Sequence, residues 1–162
     1  MVVVAPARWR IIDPDIANTN GPAVGVIDGS MTLIIGDPSA VYFSYPYDPT
    51  TGTVGVRSVF GDTSGLEECP TARPSTSTAA LWCALVGGAQ LARFTSSGLD
   101  RTLLLPVTNP TDVTFGGPSL DRLYVVSIGS DANNLDGALL VIDGLDTHGR
   151  AEPRCTLDLR LV

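Results

Sequence analysis

With 162 residues, 44% of them hydrophobic and 17% charged, the chain is long enough for one domain with a real core and too apolar to be disordered. A net charge of −7, with the basic residues scattered, disfavours nucleic acid as a partner. No apolar run reaches the length of a bilayer span, so no membrane partner is expected either.

Three further features set the compartment and the class. Cys69, Cys83 and Cys155 are widely spaced and odd in number, without a CxxC pair, which makes a reducing, cytoplasmic setting the expectation. The opening MVVVAPARWR lacks the basic start and full apolar region of a secretory signal. The 17 glycines and 12 prolines, with many Thr, Ser and Val, suit short strands joined by tight turns.

In chain order, the first apolar run is Val24 to Ile27, followed by the turn Asp28-Gly29-Ser30 and a second run from Met31 to Ile35. After Asp37-Pro38-Ser39 the chain alternates, with Val41, Phe43, Tyr45 and Tyr47 on one face, the period of a half-buried strand. Asp48-Pro49-Thr50-Thr51-Gly52 is a strong turn signal, because Pro fixes φ and Gly tolerates positive φ. The stretch from Val54 to Phe60 then reads as a fourth strand.

The pattern restarts with Leu81 to Val86, Ala89 to Phe94 and Arg101 to Leu105. A third unit holds Thr111 to Phe115, Leu123 to Ser127 and Ala138 to Ile142, and the pattern weakens after Gly149. Residues 67–80, EECPTARPSTSTAA, stand where the second unit should open, yet they lack apolar alternation and read as a loop. Two complete four-strand units and most of a third suggest propeller blades; periodicity alone leaves a β-sandwich open beside them.

Four blocks in order carry a resemblance: NGPAVGVIDGSMTLIIGDP (20–38), FSYPYDPTTGTVGVRSVF (43–60), LWCALVGGAQLARF (81–94) and NPTDVTFGGPSLDRLYVV (109–126). Together they resemble the C-terminal half of the SMP-30/gluconolactonase/LRE family. The resemblance implies an all-β fold, a partial six-bladed β-propeller of about three blades, with residues 1–162 as a single domain truncated at its N-terminal side. It also implies a divalent cation, calcium or zinc, at a central channel, and hydrolysis of a small sugar lactone to the aldonic acid. The cation's ligands in the family are a Glu near the N-terminus, the Asn of an Asn-Gly motif and the Asp of a Pro-Asp-Gly motif.

Asn20 falls on the metal-ligand Asn, and a hard cation accepts such a carbonyl oxygen; on the residues alone, Asn20 serves equally to start a turn. Thr111 lies where a family strand enters the channel and is the candidate substrate or channel contact. Asp37 and Asp112 read as turn or surface groups, and Tyr42, Phe43, Tyr45 and Trp82 as core or interblade packing. Cys83 reads as an inert buried thiol and His148 as exposed. No catalytic residue is assigned: one histidine builds no Ser-His-Asp arrangement, and there is no G-x-S-x-G elbow or P-loop.

The family's Glu has no counterpart in this chain. Where Pro-Asp-Gly should stand the chain has Pro70-Thr71-Ala72. With G/C-rich codons, reading from the third base of the Glu67 codon turns residues 68–79 into Gly-Met-Pro-Asp-Gly-Ala-Ala-Val-Asp-Val-Asp-Gly, which is the family's string. The expected function is therefore a truncated or degenerate lactonase, weak or inactive alone. A non-catalytic binding or structural module and a dimeric pseudo-propeller are the alternatives, with self-association expected through exposed propeller edges.

Overall fold

The computed structural model describes residues 10–37, 39–66, 69–70, 75–76 and 80–151. Every regular element among them is a β-strand. The first sheet holds β1 (Asn20–Ile27), β2 (Ser30–Asp37), β3 (Val41–Asp48), β4 (Thr53–Val54) and β5 (Ser58–Asp62). Neighbouring strands are antiparallel in the order β1-β2-β3, with β4 and β5 both on β3. The β1–β2 hairpin closes on two residues, Asp28 and Gly29, at φ 48 and 77. Two positive φ values match the right-handed twist of the strands, which is why Asp-Gly stands there.

The expected single strand from Val54 to Phe60 is in fact two. β4 pairs with the end of β3 and β5 with its start, and residues 55–57 leave the ladder between them. Pro46 on β3 has no N–H to offer, so its carbonyl takes the Gly55 N–H at 2.8 Å and the chain bows around the proline ring.

The second sheet holds β6 (Cys69–Pro70), β7 (Ser75–Thr76), β8 (Leu81–Val86), β9 (Gln90–Thr95) and β10 (Gly98–Leu104). Here the loop reading of residues 67–80 is corrected: β6 and β7 both pair antiparallel with β8, in the place of a first strand. Ladder position, not side-chain alternation, makes these four residues strand. The third sheet is β11 (Pro110–Gly116), β12 (Arg122–Ser127) and β13 (Leu140–Ile142).

Three meander sheets follow one another in chain order, an arrangement of propeller blades and not of the two sheets of a sandwich. Period two explains how the middle blade holds the others. Along β8, Leu81, Cys83 and Leu85 join Ile27, Ile34, Tyr42 and Phe94 in a core between blades 1 and 2. Trp82 and Ala84, on the opposite face, join Leu91, Val113, Leu123 and Val125 between blades 2 and 3. A strand buried on both faces needs no polar residues, hence the unbroken run LWCALV.

Candidate functional site at the first strands of the blades

Each blade's first strand breaks register. In β1, Asn20 pairs with Gly36 but Ala23 with Ile34, so Gly21 and Pro22 together face one partner position, and Gly21 takes φ 54. In β11, Pro110 pairs with Ser127 and Asp112 with Val126, leaving Thr111 as the extra residue. In blade 2, Pro70 pairs with Leu85 and Ser75 with Trp82, so four chain positions stand against two on β8. β7 lies against both β1 and β11, which makes the three first strands neighbours.

Asn20 and Thr111 both stand at bulges of first strands, Asn20 as the paired residue just before the break and Thr111 as the extra residue itself. Asn20 is half-buried. The Thr111 hydroxyl donates to the Val126 carbonyl at 3.4 Å. The position for the family's Pro-Asp-Gly Asp, residue 71, lies outside the described residues. Among the described residues no group of three or more His, Cys, Asp or Glu side chains is gathered. Asp37 and Asp112 do not add to Asn20: Asp37 accepts the backbone N–H groups of Ser39 at 2.8 Å and Ala17 at 3.1 Å, and Asp112 that of Val113 at 2.8 Å. A hard cation takes six to eight oxygens, several of them charged, so the described residues do not fit it by themselves.

The other side chains singled out in the sequence hold the fold. Asp37 is only 3% exposed and ties the chain entering β1 to the β2–β3 turn. Its pKa is lowered from 3.8, chiefly by the Ser39 hydrogen bonds. The stability that this gives is complete above the unfolded value and is lost as pH falls through the lower folded one. The melting temperature is therefore expected to drop below about pH 4, and to drop less steeply for Asp37→Asn in thermal melts across that range. Cys83 is buried and free, and burial pushes its thiol up to about 12, so it stays a thiol. His148 is exposed, with its Nδ1 3.3 Å from the Ser119 carbonyl.

One network has no signal in the sequence. Asp13 accepts from the Tyr45 hydroxyl at 2.8 Å and from Arg57 at 3.0 Å, and Arg57 also lies 4.7 Å from the centre of the Phe43 ring. The Asp15 N–H, then the Tyr45 hydroxyl and Arg57, hold Asp13 low, while burial before all else pushes Tyr45 up to about 12. This network clips residues 10–19 to the face of blade 1 above a cleft of about 300 Å³, lined by Ile12, Ile16, Ile35 and Tyr45 among others.

Comparison with known proteins places this geometry. The SMP-30/Gluconolactonase/LRE-like region model matches residues 1–129. An uncharacterized protein of Sulfolobus acidocaldarius is 26% identical over 144 residues, covering 88% of this chain and 51% of its own. Pentonolactonase XacC of Haloferax volcanii is 28% identical over 128 residues, covering 74% of this chain and 44% of its own. Of the solved structures, regucalcin of Agrobacterium tumefaciens, a calcium-binding protein, superposes with a TM-score of 0.75 at 26% identity over 88% of this chain and 51% of its own. A luciferin-regenerating enzyme superposes with a TM-score of 0.72 at 25% identity over 88% of this chain and 50% of its own. The chain spans about half the length of the relatives it matches. The fold is all-β, a partial six-bladed propeller.

Proposed function

The chain belongs to the SMP-30/gluconolactonase/LRE-like family, and on that premise we propose that it is a degenerate sugar-lactone hydrolase. It corresponds to the C-terminal half of a ring that hydrolyses an aldonolactone to the aldonic acid, and has little or no activity alone. The observation that carries the reading is the similarity over 128 residues to a pentonolactonase. The register breaks beside Asn20 and at Thr111 support it, because a bulge in a first strand is where a ladder re-aims a side chain. Asn20 is the position for a calcium or zinc ligand and Thr111 for a contact to the lactone; the cation, when bound, polarises the carbonyl under attack. The described residues do not complete that site, and groups on different blades get their spacing from closure of the ring. Under this reading the partners are a small sugar lactone and, through exposed propeller edges, further copies of the chain.

The segment 68–79 belongs to the same proposal: it is translated out of frame, and the parent frame supplies the Asp of Pro-Asp-Gly. Sequencing the gene across these codons tests it, since codons unable to spell Pro-Asp-Gly remove the idea. The hydrolase reading is tested by assaying aldonolactones with calcium or zinc added. Turnover is expected to stay at the spontaneous rate. Fast hydrolysis that Asn20→Ala abolishes would instead make this chain a working enzyme. A non-catalytic binding module is the second reading, favoured by the lack of an acidic or His/Cys cluster among the described residues; sugar-acid binding that ignores chelators would select it.

A further inference from the structure

We propose that residues 10–16 form a lid over blade 1, hinged where Ala17 meets Asp37 and latched shut by the side chain of Asp13. The lid does not depend on lactone chemistry.

No residue from 10 to 19 belongs to a strand, although the segment lies across a sheet. Three ties through side chains hold it there. The Arg10 guanidinium donates to the Gly52 carbonyl at 2.7 Å. Asp13 accepts from the Tyr45 hydroxyl at 2.8 Å and from Arg57 at 3.0 Å. The Ala17 N–H donates to Asp37 at 3.1 Å. Apolar burial adds little, because Ile11 and Ile12 are 70% and 51% exposed and Ile16 is only half-buried. A segment with no ladder and so little apolar contact opens at a lower free energy than the blades beneath it.

The ties differ in kind, which separates hinge from latch. Asp37 also accepts the Ser39 N–H at 2.8 Å, so the hinge is anchored in the β2–β3 turn of the blade itself. β1 pairs with β2 from Asn20 onward, beyond that hinge, and keeps its ladder when the lid moves. The latch stands nearer to water. The Asp13 and Arg57 side chains are 14% and 34% exposed, so neither charge is left buried when the two part. Arg57 has a second resting place on the Phe43 ring, whose centre lies 4.7 Å away. Within the lid, the Asp15 N–H donates to Asp13 at 3.0 Å and Pro14 between them has a fixed φ, so this stretch turns as one piece.

The lid has something to cover. Ile12 and Ile16 roof the cleft of about 300 Å³, and Pro22, Ile35 and Tyr45 line it from the blade. Tyr45 is 2% exposed, on the face of blade 1 opposite the core shared with blade 2. Its cover is the lid and not a neighbouring blade. Tyr42, at 0% exposure, is covered by blade 2 instead. Opening the lid therefore bares Tyr45 and the floor of the cleft and leaves Tyr42 buried.

The two tyrosines make the test. The unaltered chain, Asp13→Asn and Arg57→Gln are treated with tetranitromethane, and nitration is read at each tyrosine from peptide masses. Tyr45 is expected to react slowly in the unaltered chain and about tenfold faster in either variant, the scale of one lost charge-assisted hydrogen bond. Tyr42 is expected to stay unreacted in all three, with the thermal melt of the blades kept. Equal acceleration at Tyr42 and Tyr45 overturns the proposal, because the blades themselves then open. Tyr45 labelling that neither variant changes removes the latch, and a Tyr45 that reacts in the unaltered chain as fast as Tyr47 removes the closed lid. If one variant does not fold, the other decides; if neither folds, the segment is part of the blade and the lid falls. Lactone hydrolysis is not read, so the result stands apart from that of the preceding proposal.

Discussion

Replacing Trp82 by alanine is expected to cost about 3–5 kcal/mol, a large share of the stability of a domain this size. Trp82 is 1% exposed and sits at the centre of the core between blades 2 and 3. Its neighbours Val113, Leu123 and Val125 stand on two paired strands of another sheet. That ladder prevents them from collapsing into the space, so most of the cavity remains. The melting temperature should fall by roughly 10 °C or more. The indole Nε1 finds no acceptor among the described residues. Trp82→Phe, which keeps a ring and removes that donor, should therefore cost about 1 kcal/mol or less. Denaturant melts of the three chains check both values. An alanine variant as stable as the parent would show that this core does not hold blade 3.

Phe94→Ala should cost a similar amount, about 3–5 kcal/mol, and act on the other interface. Phe94 is 1% exposed and its ring centre lies 5.9 Å from that of Tyr42, tilted by 49°. The edge of the ring rests on Gly61, where an added Cβ would come within 2.9 Å of it. A ring on blade 2 thus fits against a bare backbone on blade 1. Gly61→Ala should destabilise the parent chain and do much less harm once Phe94 is alanine, a coupling of about 1 kcal/mol or more in a double-mutant cycle. Amide exchange should quicken in β3 and β5 for Phe94→Ala and in β11 and β12 for Trp82→Ala. Equal loss across all three blades in both variants would mean that the interfaces do not act separately.

The sequence showed the strands wherever side-chain period and ladder position agree. β2, β3, β8 and β12 carry apolar residues at the spacing their two faces require, and Asp28-Gly29 has the chemistry of the turn it makes. It failed where pairing is imposed from outside. β6 and β7 are strand because β8 offers a ladder, whatever their own residues prefer. The split between β4 and β5 follows from Pro46, a residue on a different strand. Of the candidate site, the resemblance singled out Asn20 and Thr111, but their common feature, a bulge in a first strand, is a matter of register that only the structure exposes. The clip of Asp13, Tyr45 and Arg57 spans 44 residues of chain and leaves no local trace.

The sandwiching of blade 2 between two cores has a thermodynamic meaning. The three blades form a short linear array in which each unit is stabilised by its neighbours, so opening begins at the ends and reaches the centre last. The middle unit has two such couplings and the outer units one each. β7, from the least strand-like stretch of the sequence, lies in that middle unit, next to β1 on one side and β11 on the other. Disordered information in the sequence is tolerated there because the order is supplied from both flanks; the same stretch in a terminal blade would have to sustain itself.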